Sequence, residues 1–284
     1  MILETPATVL ISKLKNYSMK EKRIAIIGGG NLGTAIARGL ISEGVIKPSN
    51  MTVTRRRVSL LKELSDQGIV VTDNNCEATK NSDIIILGVK PYQLEDVINE
   101  IKPCLSGNKV IVSVATGVAS EKIQEMCGIE LPVFRAMPNT AIEIGESMTC
   151  ISSLNATEEH DNDIVDLFSH LGKAIIIPEE LMSSATVLAA CGIAYALRYI
   201  RASTQGGVEI GFGSQLALQI AAQTVKGAAE LLIQKGNHPE DEIDKVTTPR
   251  GVTISGLNEM EHRGFSSSLI KGLLTSYNKI EKGK

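Results

Sequence analysis

The spacing Gly28-x-Gly30-x-x-Gly33, inside RIAIIGGGNLGTAIARGL (23–40), is the first arrangement in the chain with chemistry in it. Ile24 to Ile27 form an apolar run suited to a strand buried on both faces, and Ala35, Ile36 and Leu40 recur at helical intervals. Each glycine between them has its own task. Gly28 allows the tight turn, Gly30 lets the backbone approach a pyrophosphate, and Gly33 lets helix and strand pack closely. The helix start then turns its free N–H groups and positive dipole end toward the phosphates. A strand-to-helix turn that holds nothing has the same outline, but a strand before and a helix after favour a dinucleotide.

The next strand bears on which dinucleotide. An acid about 20 residues further on would accept from a ribose 2′-OH, yet MTVTRRR (51–57) ends in Thr54, Arg55, Arg56 and Arg57. An acid repels a 2′-phosphate, whereas an arginine fork binds it through two parallel bonds. Arg55 and Arg56 therefore point to NADPH, with NADH possible. A solvated basic loop is the plainer alternative.

LGVKPYQL (87–94) places Lys90 and Pro91 after an apolar run, at a strand's carboxyl end, where ligands of doubly wound sheets bind. SVATGV (113–118) ends another run in small residues that admit a nicotinamide ring, and RAMPNTA (135–141) offers Pro138 and Asn139 as a floor. Each is also compatible with a plain turn. Late in the chain, VTTPRGVTISGLNEMEHRGF (246–265) turns at Pro249, Arg250 and Gly251 into a helix that Gly264 closes. Its first N–H groups, flanked by Thr247, Thr248 and Thr253, make a carboxylate-sized anion site or a capping turn without a ligand.

These motifs need a sheet to place them. Apolar runs at 24–27, 51–54, 69–71, 84–89, 110–114, 133–137, 148–151 and 174–177 alternate with helical patterns. That alternation implies an α/β fold with a mainly parallel, doubly wound sheet. Beyond Pro178-Glu179-Glu180 only helical patterns follow. Leu218, Ala221, Ala222, Val225, Ala228, Ala229 and Leu232 share one apolar face, and Ile270, Leu273, Leu274, Tyr277 and Ile280 repeat it. Many small residues there suit close helix packing, with a second subunit as one occupant. The uncharged run 181–197 reads as a buried helix, too short and too polar for a convincing membrane span. The expected domains are a tail or extension (1–20), a dinucleotide-binding domain (21–179) and a helical domain (180–284). Residues 1–20 lack the pattern of a cleavable signal, and Met19 is a natural start for the compact part.

The net charge of −3, with 3% aromatic residues and no Trp, gives no basis for a nucleic-acid or anionic-membrane partner. Cys76, Cys104, Cys127, Cys150 and Cys191 are scattered and odd in number, which reads as reduced, mostly buried thiols in a cytoplasmic protein. The four histidines share no metal-ligand spacing with them, so no metal is expected.

From residue 22 onward the chain resembles the pyrroline-5-carboxylate reductases. The resemblance rests on the glycine turn with Asn31-Leu32, VKP at 89–91, RAMPNT at 135–140, and T-P-x-G-x-T-x-x-G-L at 248–257. It implies an N-terminal Rossmann domain and a C-terminal all-helical dimerisation domain, with a homodimer that in some members builds rings. It implies NADPH-dependent reduction of 1-pyrroline-5-carboxylate to L-proline, the last step of proline biosynthesis. Position by position, it assigns Gly28, Gly29, Gly30, Asn31, Leu32 and Gly33 to the pyrophosphate turn, and Arg55 and Arg56 to the 2′-phosphate. Asn75, Val89, Lys90, Pro91, Val114, Ala115 and Thr116 would complete the cofactor cleft. Glu179, Gly251, Val252 and Thr253 would bind substrate, with Thr253 at the ring nitrogen as the catalytic residue.

The chain departs from the family pattern in AACGIA (189–194), where S-G-S-G-P-A is frequent, and in Arg250, where glycine is frequent. Two other functions fit the same residues. One is an oxidoreductase acting on another small imine or hydroxyacid; the other is a non-catalytic NADP-binding regulatory protein.

Overall fold

The computed structural model describes residues 19–282. It divides into two compact units, one built from residues up to Ala190 together with those from Ile280 on, the other from Cys191–Lys279.

The first unit is an eight-stranded sheet: β1 (Ile24–Ile27), β2 (Met51–Thr54), β3 (Val70–Thr72), β4 (Ile84–Leu87), β5 (Val110–Ser113), β6 (Val133–Met137), β7 (Ser147–Leu154) and β8 (Gly172–Ile176). The spatial order is 3-2-1-4-5-6-7-8. Neighbours run parallel except β6 and β7, which are antiparallel. Helices α1 (Asn31–Ser42), α2 (Lys62–Asp66), α3 (Asn75–Lys80), α4 (Leu94–Ile101), α5 (Ser120–Cys127), α6 (Glu158–Ser169) and the short α7 (Met182–Ala185) accompany it. The strand period of two decides the cores. Ile24 and Ile26 pack on one side with Ile36, Leu40, Leu167 and Phe168, while Ala25 and Ile27 pack on the other with Leu94, Ile98 and Ile123. Burial on both faces explains why β1, β4 and β5 are nearly unbroken aliphatic runs. This is the doubly wound Rossmann fold.

The strands fall where the apolar runs placed them, with shifts at the ends. β3 occupies 70–72 rather than 69–71. β7 is longer than its apolar stretch because pairing with β6 carries on from Met137–Cys150 to Val133–Leu154, through the polar Ser152 and Ser153. Met19 is 3% exposed and joins the first core, while residues 1–18 lie outside the described part.

Two expectations are corrected. Cys76 and Cys104 are not free thiols but a disulfide, with Cα atoms 5.7 Å apart across 28 residues of sequence. Contact of α3 with α4 and with the turn that follows it brings the two together, an encounter that linear spacing does not reveal. Cys127 and Cys150 are buried free thiols and Cys191 is half-buried. Burial pushes the Cys127 thiol up to about 11, with Lys102 opposing the shift.

Residues 181–197 are not one buried helix. After α7 the backbone passes through a wide π-type turn at Thr186–Cys191 before α8 (Gly192–Glu209) begins. Met182, Ala185 and Val187 are buried, but Leu188 is 71% exposed and α8 buries no residue within the chain. The segments Glu179–Glu209 and Ser214–Lys235 are each long and apolar enough to cross a membrane by length and composition alone.

The second unit continues with α9 (Ser214–Lys235), α10 (Pro239–Lys245), α11 (Val252–His262) and, as far as Lys279, α12 (Phe265–Glu281). Tyr195 on α8 is hydrogen-bonded to Ser276 on α12 at 2.7 Å, and Tyr199 meets Phe265 edge-on. On α9 only Ala217 and Ala221 are buried. Ala221 belongs to the predicted apolar face, but Leu218, Ala222, Ala228 and Ala229 of that face are exposed, so most of it looks outward from the described chain.

Candidate active site

Parallel pairing brings the carboxyl ends of β1, β2, β4, β5 and β6 to one edge of the sheet, and the segments that leave them line a cleft of about 1190 Å³. That exceeds the roughly 300–1,000 Å³ of ordinary small-molecule sites, as an extended two-headed ligand requires.

The glycine turn forms one wall. Gly28 sits at φ +110, and a Cβ there would stand 2.7 Å from the Gly88 carbonyl oxygen on the turn after β4. Gly30 caps α1 without any side-chain hydrogen bond, and a Cβ on it would meet nothing within 4 Å. The first N–H groups of α1, from Asn31 on, have no intrahelical acceptor. An open glycine above an uncapped helix start is the cradle a pyrophosphate needs, so the residues present fit a dinucleotide. Gly33 does something else. It does not line the cleft, and a Cβ there would lie 2.2 Å from the Gly28 carbonyl oxygen, so it holds α1 against β1.

Thr54 ties this turn to the rest of the wall. Its carbonyl accepts from Gly29 N at 2.7 Å, and its hydroxyl accepts from Gly28 N at 3.3 Å and donates to Asn75 Oδ1 at 2.5 Å. Asn75 Nδ2 in turn donates to Glu100 Oε2 at 2.8 Å. Arg55, Arg56 and Arg57 all line the cleft, but differently. Arg55 is half-buried and donates Nη1 to the Gly29 carbonyl at 2.9 Å, which braces the turn. Arg56 and Arg57 are exposed at the rim.

Val89, Lys90 and Pro91 line the cleft after β4, and Val114, Ala115 and Thr116 after β5. Met137, Pro138, Asn139 and Thr140 close it after β6. Asn139 Oδ1 caps the following turn by accepting from Ala141 N, and its N–H donates to Ser147 Oγ at 3.0 Å. Thr54, Arg57, Gln93, Val97 and Glu143 also reach the cleft. Sequence alone gave no role to Gln93 or Val97. They arrive only because α4 starts beside Pro91.

Glu179 is absent from the cleft lining. Its carboxylate accepts from Arg135 Nη1 at 2.6 Å, Ser152 Oγ at 2.5 Å, Ser120 Oγ at 3.1 Å and Ser120 N at 3.3 Å. Burial alone would push this carboxyl up. The bonds from Ser152 and Arg135, the Arg135 charge and the Ser120 N–H outweigh burial and hold it below the usual carboxylate range. Arg135 is 5% exposed. Glu179 thus joins β6, β7 and the start of α5 rather than opening onto the cleft.

In the second unit, the turn Thr248–Gly251 closes through Gly251 N donating to Thr248 O at 2.9 Å. A Cβ on Gly251 would lie 2.6 Å from Thr248 Oγ1, so glycine is required. Gly251 caps α11 without a side-chain bond, leaving the N–H groups of Val252 and Thr253 at the helix start, with Val252 90% exposed. Arg250 holds φ +60, a left-handed conformation costly for a residue with a Cβ. The Thr247 hydroxyl turns away to the Ile243 carbonyl. An open helix start of this kind can take a carboxylate.

Residues 179–282 match the family model described as pyrroline-5-carboxylate reductase dimerisation, and residues 23–117 match that of NADP oxidoreductase coenzyme F420-dependent. Pyrroline-5-carboxylate reductase 2 of Dictyostelium discoideum is 41% identical over 292 residues, covering 97% of this chain and 96% of its own. Pyrroline-5-carboxylate reductase 1 of the same organism is 44% identical over 268 residues, but the chain spans about half of its length, 49%. Among solved structures, the NADP-bound pyrroline carboxylate reductase of Plasmodium falciparum superposes with a TM-score of 0.85 at 27% identity, covering 93% of this chain and 98% of that one. With its Rossmann and helical units matched along their length, the chain belongs to the pyrroline-5-carboxylate reductase family.

Proposed function

We propose that the chain reduces 1-pyrroline-5-carboxylate to L-proline with NADPH. The observation that carries this is the pairing, within one family member, of a dinucleotide cradle at Gly28–Leu32 with an uncapped, glycine-fronted helix start at Gly251–Thr253. The first unit binds the cofactor and the second supplies the substrate turn and the dimer contact, a division supported by the dimerisation match over 179–282.

When bound, the reduced nicotinamide supplies a hydride to the imine carbon. The residues of the chain have to place the reactants and exclude water. The α1 start and Gly28–Leu32 hold the pyrophosphate. Arg56, with Arg55 behind it, takes the 2′-phosphate, and Asn75 contacts the adenosine side. Val89–Pro91 and Val114–Thr116 line the nicotinamide end. The N–H groups of Val252 and Thr253 clamp the substrate carboxylate, and the Thr253 hydroxyl bonds the ring nitrogen that takes up a proton as the C=N bond is reduced. Glu179 reaches the substrate through the placement of its neighbours, since four donors already occupy its carboxylate.

A homodimer through the helical unit fits the outward apolar face of α9, and dimers arranged in rings extend the same idea. The three free thiols fit a cytoplasmic setting, whereas the Cys76–Cys104 disulfide fits an oxidising one.

The test is the loss of dihydronicotinamide absorbance when the purified chain meets pyrroline-5-carboxylate with NADPH, repeated with NADH. Saturable turnover that favours NADPH bears out the reaction and the role of the arginines. Turnover that favours NADH keeps the reaction and removes the 2′-phosphate assignment. Cofactor binding without turnover removes the reaction.

A further inference from the structure

Beside the main cleft lies a smaller cavity of about 360 Å³, lined by Arg56, Asp73, Asn75, Gln93, Asp96, Val97 and Glu100. Three of these residues are carboxylates facing a single arginine, an odd neighbourhood for a polyanionic cofactor. One of the three has a specific partner. Glu100, on the last turn of α4, accepts from Asn75 Nδ2, and Asn75 lines both cavities.

The orientation of the Asn75 amide is determined at both ends. The Thr54 hydroxyl accepts from Gly28 N–H, so its own proton goes to Asn75 Oδ1. An ionised carboxylate only accepts, so Glu100 must face the NH2 side. The amide is pinned with one Nδ2–H spent on Glu100 and the other left as a donor. The hydrogen-bonded chain Gly28–Thr54–Asn75–Glu100 therefore runs from the phosphate turn to α4. The Cys76–Cys104 disulfide ties the same two segments a residue or a turn away.

We infer that Glu100 is a positioning residue for the dinucleotide. It fixes the Asn75 amide so that its remaining N–H meets an acceptor oxygen or nitrogen on the adenosine side of the cofactor. This rests on the dinucleotide reading of the cleft. It gives the carboxylate a task opposite to what its charge alone would do: as a bare charge, Glu100 repels the cofactor, whereas as an amide anchor it helps to hold it.

The two roles separate by experiment. NADPH dissociation constants are measured by quenching or transfer fluorescence for the wild-type chain, Glu100→Ala, Glu100→Gln, Asn75→Ala and the Glu100→Ala, Asn75→Ala double variant, with melting curves confirming each fold. Anchoring predicts that Glu100→Ala weakens NADPH about fivefold, the scale of one exposed hydrogen bond. It predicts that Glu100→Gln, which keeps an acceptor oxygen, stays near wild type, that kcat at saturating NADPH is unchanged, and that the double variant is no weaker than Asn75→Ala. Tighter NADPH in both Glu100 variants overturns the inference in favour of plain repulsion. Unchanged binding in Glu100→Ala, equal weakening by Gln and Ala, or full additivity with Asn75→Ala also overturns it. A wild-type chain that binds no NADPH removes the dinucleotide reading itself, a different result from any of these.

Discussion

Replacing Glu179 by alanine strips the acceptor from Arg135, Ser120 and Ser152 at once. Arg135 is nearly buried and its Nε already lacks a hydrogen-bond partner, so the guanidinium is left with little to compensate its charge. Breaking a buried pair from one side costs about 3–5 kcal/mol. The Glu179 side chain is 26% exposed, so water reaches the gap and reduces this to about 2–3 kcal/mol. For a unit of this size each kcal/mol moves Tm by roughly 2–4 °C, so a fall of about 5–10 °C is expected in a thermal melt of the purified chain. The pair's own worth is tested by Arg135→Met with Glu179→Leu, which removes both charges and is expected to recover most of the loss.

The pH dependence has a definite sign. Because the folded carboxyl titrates below its ordinary range, its contribution is complete above the unfolded value of about 4.3 and is lost as pH falls through the folded value. The Tm gap between wild type and Glu179→Gln should stay level from neutrality to about pH 5 and close in more acidic buffer. A Tm loss under about 2 °C for Glu179→Ala, or a gap that widens in acid, would refute the reasoning. Kinetics below the transition decide its other proposed role: a raised KM for pyrroline-5-carboxylate at unchanged kcat makes Glu179 a substrate contact, whereas unchanged KM leaves it a brace.

Neutral replacement of Arg56 should weaken NADPH roughly tenfold and NADH little, since a charge-assisted bond is worth about 1.5–3 kcal/mol; titration of both cofactors checks this, and equal losses sink it. Arg55→Ala should weaken both, because its bond to the Gly29 carbonyl braces the turn that either cofactor uses. Thr253→Val should lower kcat/KM while the melting curve stays within about 1–2 °C, as expected for an exposed hydroxyl; full activity reduces Thr253 to packing. Gly33→Ala places a Cβ against backbone, 2.2 Å from the Gly28 oxygen, and should cost about 1–3 kcal/mol in denaturant melts while loosening cofactor binding.

Much of this was legible because the signals were local. Runs such as Ile84–Leu87 are strands buried on both faces, and only a parallel sheet makes such runs common. The glycine turn declares its backbone geometry through residue type, and so does the turn at Gly251. Encounters between distant segments left no such mark. Nothing near Cys76 announces Cys104, and nothing near Glu179 announces Arg135, 44 residues earlier. The arginines were legible as a group, but the division between Arg55 as brace and Arg56 as open rim depends on one guanidinium reaching Gly29. The uncharged run 181–197, only part of which is buried, misleads for another reason. Apolar composition states that a surface will be covered, not by which chain.

The Cys76–Cys104 bond closes a covalent ring through α3, β4, Pro91, α4 and the turn after it, the stretch that supplies Asn75, Val89, Lys90, Pro91, Gln93 and Val97 to the cleft. A single peptide cut anywhere inside that ring cannot release a fragment. A protease that nicks the exposed Tyr92 turn would leave a molecule of unchanged mass apart from one added water, still holding its cofactor wall, and falling into two pieces only when a thiol reductant opens the ring.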